Sequence, residues 1–304
     1  MNLAERAIRR VPSLLDQLGV IRLPDMVCVT FTLGFGNNLF QYIAARLLAE
    51  HYRLPLWITQ PPSASAISEF SKLGIDLNVT DSRQFRFIIT ERYYEEVARG
   101  DYPRRRMLLS GFFEDYRYYL PHLETIRSWF QPVEKRSGRD LALHFRTGDR
   151  LFMKEEFYEK PRIADYLAAI ERFDFDRLHI VSDLPVWKAY TEAELRSVNF
   201  HRSIPEHQAV PLSESIEYLN EFVEGLSRFD PIFRSTSPAE DFDYLRTFDN
   251  VLFEHGTLSW WAAVLGGASH VGVYGPWRPW RGESNRNLSE VPLDGWFRWD
   301  RLTD

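Results

Sequence analysis

Short apolar runs rich in β-branched residues alternate along this chain with stretches whose apolar positions recur every three or four residues. Residues 26–32 predict a strand, and Leu33-Gly-Phe-Gly-Asn-Asn38 after them a turn. Over 39–51, Leu39, Ile43, Leu47 and Leu48 share one side while Arg46 and Glu50 take another, the pattern of a helix. Residues 54–59 and 107–110 read as strands and 120–130 as a helix. Beyond residue 139 the alternation sharpens: 141–145, 178–181, 251–253 and 271–274 predict buried strands, with helices over 163–173 and 259–265. Ser237-Pro-Ala-Glu240 has the form of a capping box with Pro at the first helical position, opening a helix through Phe248. Buried strands alternating with helices imply parallel sheets and the α/β class. The polar stretch 131–139 contains Pro132 and Gly138, so the expected division is 1–135 and 136–304.

Composition narrows the choice of partners. The chain has 304 residues, about twice the ~150 of a typical domain, and carries 37 Lys and Arg against 43 Asp and Glu, a net charge of −6. That balance argues against nucleic-acid binding and broad anionic-membrane binding, so an anionic ligand needs a local basic site. The single cysteine, Cys28, cannot close an internal disulfide, and no apolar run reaches the ~18 residues of a membrane span. With no signal-peptide pattern at the N-terminus, the expected compartment is the cytoplasm. Leu3, Ala7, Ile8, Val11, Leu14, Leu15 and Leu18 lie opposite Arg6, Arg9 and Arg10, which predicts an amphipathic helix, read as a packed terminal helix ahead of a membrane-surface one. Nine Trp and 15% aromatic residues suit sugar or base stacking as well as core filling.

Ligands of open α/β sheets sit at the carboxyl ends of the strands. There the sequence places His144 near the end of one strand with Arg146, Gly148 and Asp149 after it, Ser182 and Asp183 after another, and Glu254-His-Gly-Thr-Leu-Ser259 after a third. Gly256, Thr257 and Leu258 would put backbone N–H groups and a hydroxyl at a helix start, a ready site for phosphate oxygens, with Arg146 as the planar cation. His144 as a satisfied core histidine and Arg146–Asp149 as a structural ion pair are the plainer alternatives. Arg104-Arg-Arg106 reads as a solvated loop, and Asp174-Phe-Asp176 and Asp241-Phe-Asp243 as non-metal acids. No His or Cys spacing of a zinc site is present. Gly34 and Gly36 permit close backbone approach after the first strand, and Asn37 can offer an amide to a ligand. Leu39 occupies the third glycine position of a dinucleotide fingerprint, and no acid closes the second strand.

The segment GFGNNLFQYIAARLLAE resembles the GGLGNQMFQYAFARALA pattern of bacterial α-1,2-fucosyltransferases, glycosyltransferase family 11. LHFRTGD is similar to their HxRRGD, VSDLPVW to their SDDxxW, GFFEDYRYYL to their GYFQSxKYF, and EDFDYLRTFDNVLFEHGTLSWWAAVL to their segment ending NSSFSWWAA, all in the family's order. The resemblance implies a GT-B fold, two Rossmann-like domains facing each other across a cleft, and inverting, metal-independent fucosyl transfer from GDP-fucose to a glycan hydroxyl without a cofactor. It implies Arg146 and Thr257 at the β-phosphate, His144 against the guanosine, Asp241 accepting from guanine, and Asn37 reaching the donor from the first domain. Asp149 and Asp183 join that donor set, and Glu155 and Glu156 are the candidate catalytic bases. The family's second Arg is Thr147 here, its second Asp is Leu184, its Gln is Asn38, and its Asn-Ser-Ser is His255-Gly-Thr257. The setting implied is a cytoplasmic enzyme of surface-polysaccharide synthesis, with peripheral contact at the inner membrane face. An NAD(P)- or flavin-dependent oxidoreductase and a non-catalytic glycan-binding protein are the alternatives.

Overall fold

The computed structural model describes residues 24–32, 34–59, 64–80, 85, 87–100, 106–136, 138–156, 158–198, 203–254, 256–275 and 293–302. The amphipathic segment at the N-terminus, Leu33, Arg104, Arg105 and His255 lie outside them. The chain divides between Gln131 and Pro132 into two compact units.

The first unit is a five-stranded parallel sheet in the order β3-β2-β1-β5-β4, with β1 Met26–Val29, β2 Leu56–Thr59, β3 Val79–Thr80, β4 Phe87–Ile89 and β5 Arg106–Leu109. Helices α1 Phe35–Tyr52, α2 Ala64–Lys72, α3 Glu91–Ala98 and α4 Leu123–Ser128 accompany it. β1 is central and fully buried, and burial pushes its Cys28 thiol up to about 12. The first strand is shorter than its apolar run, and α1 begins four residues before the predicted Leu39. The reason is tertiary: Asn38 Nδ2 donates to Thr32 O at 3.0 Å, Gln41 Nε2 donates to Gly111 O at 2.9 Å, and the Phe35 ring meets Phe70 at 5.3 Å. The polar residues expected to form a free turn are thereby recruited into the helix's first turns. Arg106 corrects the expectation of a solvated basic loop: it is buried at the start of β5 and donates to Pro24 O at 3.0 Å.

The second unit is a six-stranded parallel sheet, β11-β10-β9-β6-β7-β8. Its strands are β6 Leu141–Phe145, β7 Leu178–Ser182, β8 Ile232–Arg234, β9 Asn250–Phe253, β10 His270–Tyr274 and β11 Trp296–Trp299. Counted from β6 this is the 3-2-1-4-5-6 order of the Rossmann fold, and the order reverses between β6 and β9. The helices are α5 Ile163–Ile170, α6 Glu192–Ser197, α7 Leu212–Leu226, α8 Pro238–Arg246 and α9 Thr257–Gly266. Alternation along the strands assigns the faces. Leu141, Leu143 and Phe145 pack with Tyr166 of α5 and Phe222 of α7, the Phe145 and Phe222 rings stacking at 3.6 Å. Burying aromatics of this size contributes about 1.5–3 kcal/mol each. Glu240 accepts from Ser237 N at 3.1 Å and from its hydroxyl at 2.7 Å, the expected capping box, although α8 ends at Arg246. Among the described residues no helix is long and apolar enough to cross a membrane.

Candidate functional site

The carboxyl ends of β6 and β9 are neighbours at the reversal of strand order, with His144 in register with Phe253. A crevice at this point of an open α/β sheet is where ligands bind. His144 takes the face opposite Phe145 and shares a hydrogen bond through Nδ1 with Ser259 Oγ, in the first turn of α9. Both residues are buried. Burial lowers the His144 imidazole from 6.5 to about 4, the Arg146 and Arg150 charges adding to the effect against Asp183, so the ring is neutral at neutral pH. The bond ties the loop that carries Arg146 to the helix that carries Thr257.

α9 begins two residues before the predicted Ser259. Gly256 is its N-cap, and Thr257, Leu258 and Ser259 form its first turn, at the positive end of the helix dipole. Gly256 is required by space: a Cβ there would stand 2.7 Å from Ser259 Oγ and 3.4 Å from His144 Nδ1. Gly256→Val should therefore part His144 from Ser259 and lower stability in urea unfolding by more than Ser259→Ala does.

The turn after β6 is held from β7. Asp183 Oδ1 accepts from Thr147 N at 2.8 Å, Gly148 N at 3.0 Å and the Thr147 hydroxyl. Gly148 has φ +34, and a Cβ there would lie 2.7 Å from Asp183 Oδ2, so both conformation and space select glycine. The Thr147 side chain is buried against Ser182 and Asp183. Arg146 points a partly exposed guanidinium out of this turn. Its Nη2 reaches Asp149 Oδ1 at 3.3 Å, and its buried Nε has no hydrogen-bond partner among the described residues. Burial opposes its charge, but Asp149 and Asp183 hold its pKa above the ordinary value. For Asp149 burial opposes ionisation, yet Arg146 and Arg150 lower its pKa.

Most of the expected residues of the second unit thus follow or end three neighbouring strands: His144, Arg146 and Asp149 at β6, Asp183 after β7 fastening the turn, and Gly256, Thr257 and Leu258 after β9, where His144 meets the first turn of α9. Glu155 and Glu156 are both exposed, and Glu155 pairs with Arg301. Asp241, in the first turn of α8, has both oxygens occupied: Oδ1 accepts from Arg234 Nε at 3.1 Å and Thr236 Oγ1 at 2.6 Å, and Oδ2 from Thr236 N at 3.1 Å. In the first unit, Gly34 is the exposed N-cap of α1 with an ordinary φ of −79°, Gly36 is buried in the helix, and Asn37 Nδ2 donates to Glu114 Oε1 at 2.9 Å. Asp174 and Asp176 both pair with Arg139. Among the described residues no group of three or more His, Cys, Asp or Glu is arranged to hold a metal ion.

The sequence places Glu254 at the end of a strand without giving it a role. Glu254 directly follows β9, is 3% exposed, and accepts a hydrogen bond from Tyr166 on α5. Its parity with Leu252 was the available signal, because it continues the face that packs on α5 and α7. Burial raises its carboxyl from 4.5 to about 7, opposed by Arg150, the Tyr166 hydrogen bond and Arg146.

His144 and Glu254 act on stability with opposite signs. Between about pH 4.5 and 6.5 the folded chain holds Glu254 protonated and His144 neutral, and the unfolded chain the reverse, so their proton counts cancel. In Glu254→Gln the lowered His144 remains: stability should rise from about pH 4 to 6.5, because the unfolded state binds the extra proton. In His144→Asn the raised Glu254 remains, and stability should fall from about pH 4.5 to 7. Each slope amounts to on the order of 3 kcal/mol over its window. Urea unfolding across pH reads both, and parallel profiles in wild type and variants would exclude the buried neutral pair.

No protein-family model matches the chain, and no curated protein aligns with it significantly.

Proposed function

We propose that the chain is a GDP-sugar-dependent glycosyltransferase of the GT-B type, moving fucose from GDP-fucose to a hydroxyl of a glycan acceptor with inversion and without a metal. The observation that carries this reading is the bond between His144 and Ser259 at the reversal of the second sheet, which joins the strand leading into Arg146 to the first turn of α9. Both elements favour phosphate oxygens: Arg146 through two N–H groups of its fork, α9 through N–H groups at the positive end of its dipole. Glycosyl transfer leaves negative charge on the departing diphosphate, and donors aimed in advance at that charge stabilise the transition state. The acid after β7 is where a dinucleotide enzyme binds ribose, but here Asp183 is turned onto the chain's own N–H groups, which favours the sugar-nucleotide reading over NAD.

Thermal unfolding with GDP, UDP, ADP and NAD, each with and without EDTA, tests the proposal. GDP should raise Tm without added metal, by about 2.7 kcal/mol of stabilisation at one hundred times its Kd. A shift with NAD and none with GDP selects the oxidoreductase, and glycan binding indifferent to GDP selects the binding protein.

A further inference from the structure

We infer that Glu254 sets the charge of the anion site and takes up one proton from solvent when a diphosphate binds at Arg146 and the first turn of α9. The inference rests on the proposed diphosphate site but not on which nucleotide or sugar occupies it.

The carboxyl is buried at the reversal of strand order, one residue beyond the strand paired with His144. Its hydrogen-bond partner is the Tyr166 hydroxyl, and among the described residues no Lys, Arg or His forms an ion pair with it. The charged and titratable groups around it come from every packed element. α5 supplies Tyr166 and α7 supplies Tyr218. The segment after β6 supplies Arg146, Arg150, Tyr158 and Lys160, Arg150 donating to Tyr158 Oη at 2.7 Å. Asp183 lies beyond β7, neutral His144 is on β6, and Tyr274 on β10 donates to Glu159 Oε1 at 3.3 Å. The field of Arg146 and Arg150 opposes the effect of burial on Glu254, and Lys160 shares a charge interaction with it, so the carboxyl titrates near neutrality and is charged above it.

A diphosphate consumes that field. It neutralises Arg146 and brings like charge toward a carboxylate that has little water around it, and both effects favour the protonated acid. By linkage, a proton taken up on binding makes binding tighten as pH falls.

GDP-fucose is the suitable probe, because its diphosphate is a diester that does not titrate in the neutral range. Calorimetry in buffers of different ionisation heat should register uptake approaching about one proton at pH 8, with Kd rising up to about tenfold per pH unit above neutrality. Glu254→Gln should bind without uptake and with a flat profile. Tyr166→Phe, which removes a hydrogen bond to the charged form, should move the midpoint upward, and it provides a second reading should the Gln variant fold poorly. Uptake that persists in Glu254→Gln, or binding by the wild type without uptake, overturns the inference while leaving the transferase reading intact. If GDP-fucose does not bind but UDP-glucose or ADP-glucose binds with Glu254-dependent uptake, the donor assignment fails and the inference holds. Binding of none of the three at any pH overturns both.

Discussion

Arg146→Ala should lower kcat for GDP release from GDP-fucose, in the presence of an acceptor, by about 10²–10³ while leaving the fold intact. The guanidinium is the fixed cation at the reversal of the second sheet, and removing one preorganised stabiliser of a departing oxyanion costs about 3–4 kcal/mol of barrier. Its contribution to folding is small by comparison. The Asp149 contact is long, at 3.3 Å, and both side chains are partly exposed, the condition under which an ion pair contributes about 0–1 kcal/mol. Arg146→Lys should fall between the two, since it restores the charge but not the two-pronged geometry. Near-normal turnover in folded Arg146→Ala would remove this residue from the chemistry and leave it as a partner of Asp149.

Asp183→Ala should have the larger effect on the fold, lowering unfolding stability by about 3–5 kcal/mol in urea and weakening GDP binding with it. One oxygen gathers the N–H groups of Thr147 and Gly148 and the Thr147 hydroxyl, and its loss strands buried donors at about 1–3 kcal/mol each. The turn they fasten is the one that aims Arg146, so binding and stability fall together, whereas Arg146→Ala separates them. Asp183→Asn keeps an acceptor of the same shape and should recover most of the stability. A variant Asp183→Ala as stable as wild type would show that solvent replaces the carboxylate and that the turn needs no fastening.

The two expectations differ because one side chain points outward and the other into the chain, a distinction composed of local and distant information. His144 and Arg146 are legible as candidates because one lies near the end of an apolar run and the other directly follows it. Asp183 was legible as a polar residue after a strand, but its role depends on β7 lying beside β6, some 36 positions away in the chain. Glu155 and Glu156 were chosen for proximity in sequence to Asp149, yet the segment leaves both exposed and Glu155 paired with Arg301. Glu254 is visible in the sequence as an acid after a strand, but its burial is not, because such an acid looks solvated until the helix covering that face is known.

From its own pattern the sequence determined that the chain is α/β, that Leu141–Phe145 is a buried strand, and that Ser237 opens a capped helix. These features are written in residues a few positions apart, where periodicity, β-branching and caps act locally. Tertiary structure alone decided that β6 lies between β7 and β9, that α1 begins at Phe35, and that His144 meets Ser259 while Glu254 meets Tyr166. A strand's own residues set which face each side chain takes, but its neighbours are chosen by how all the buried faces are covered at once. The site at the strand ends, being made of residues from different strands and helices, exists only after that choice.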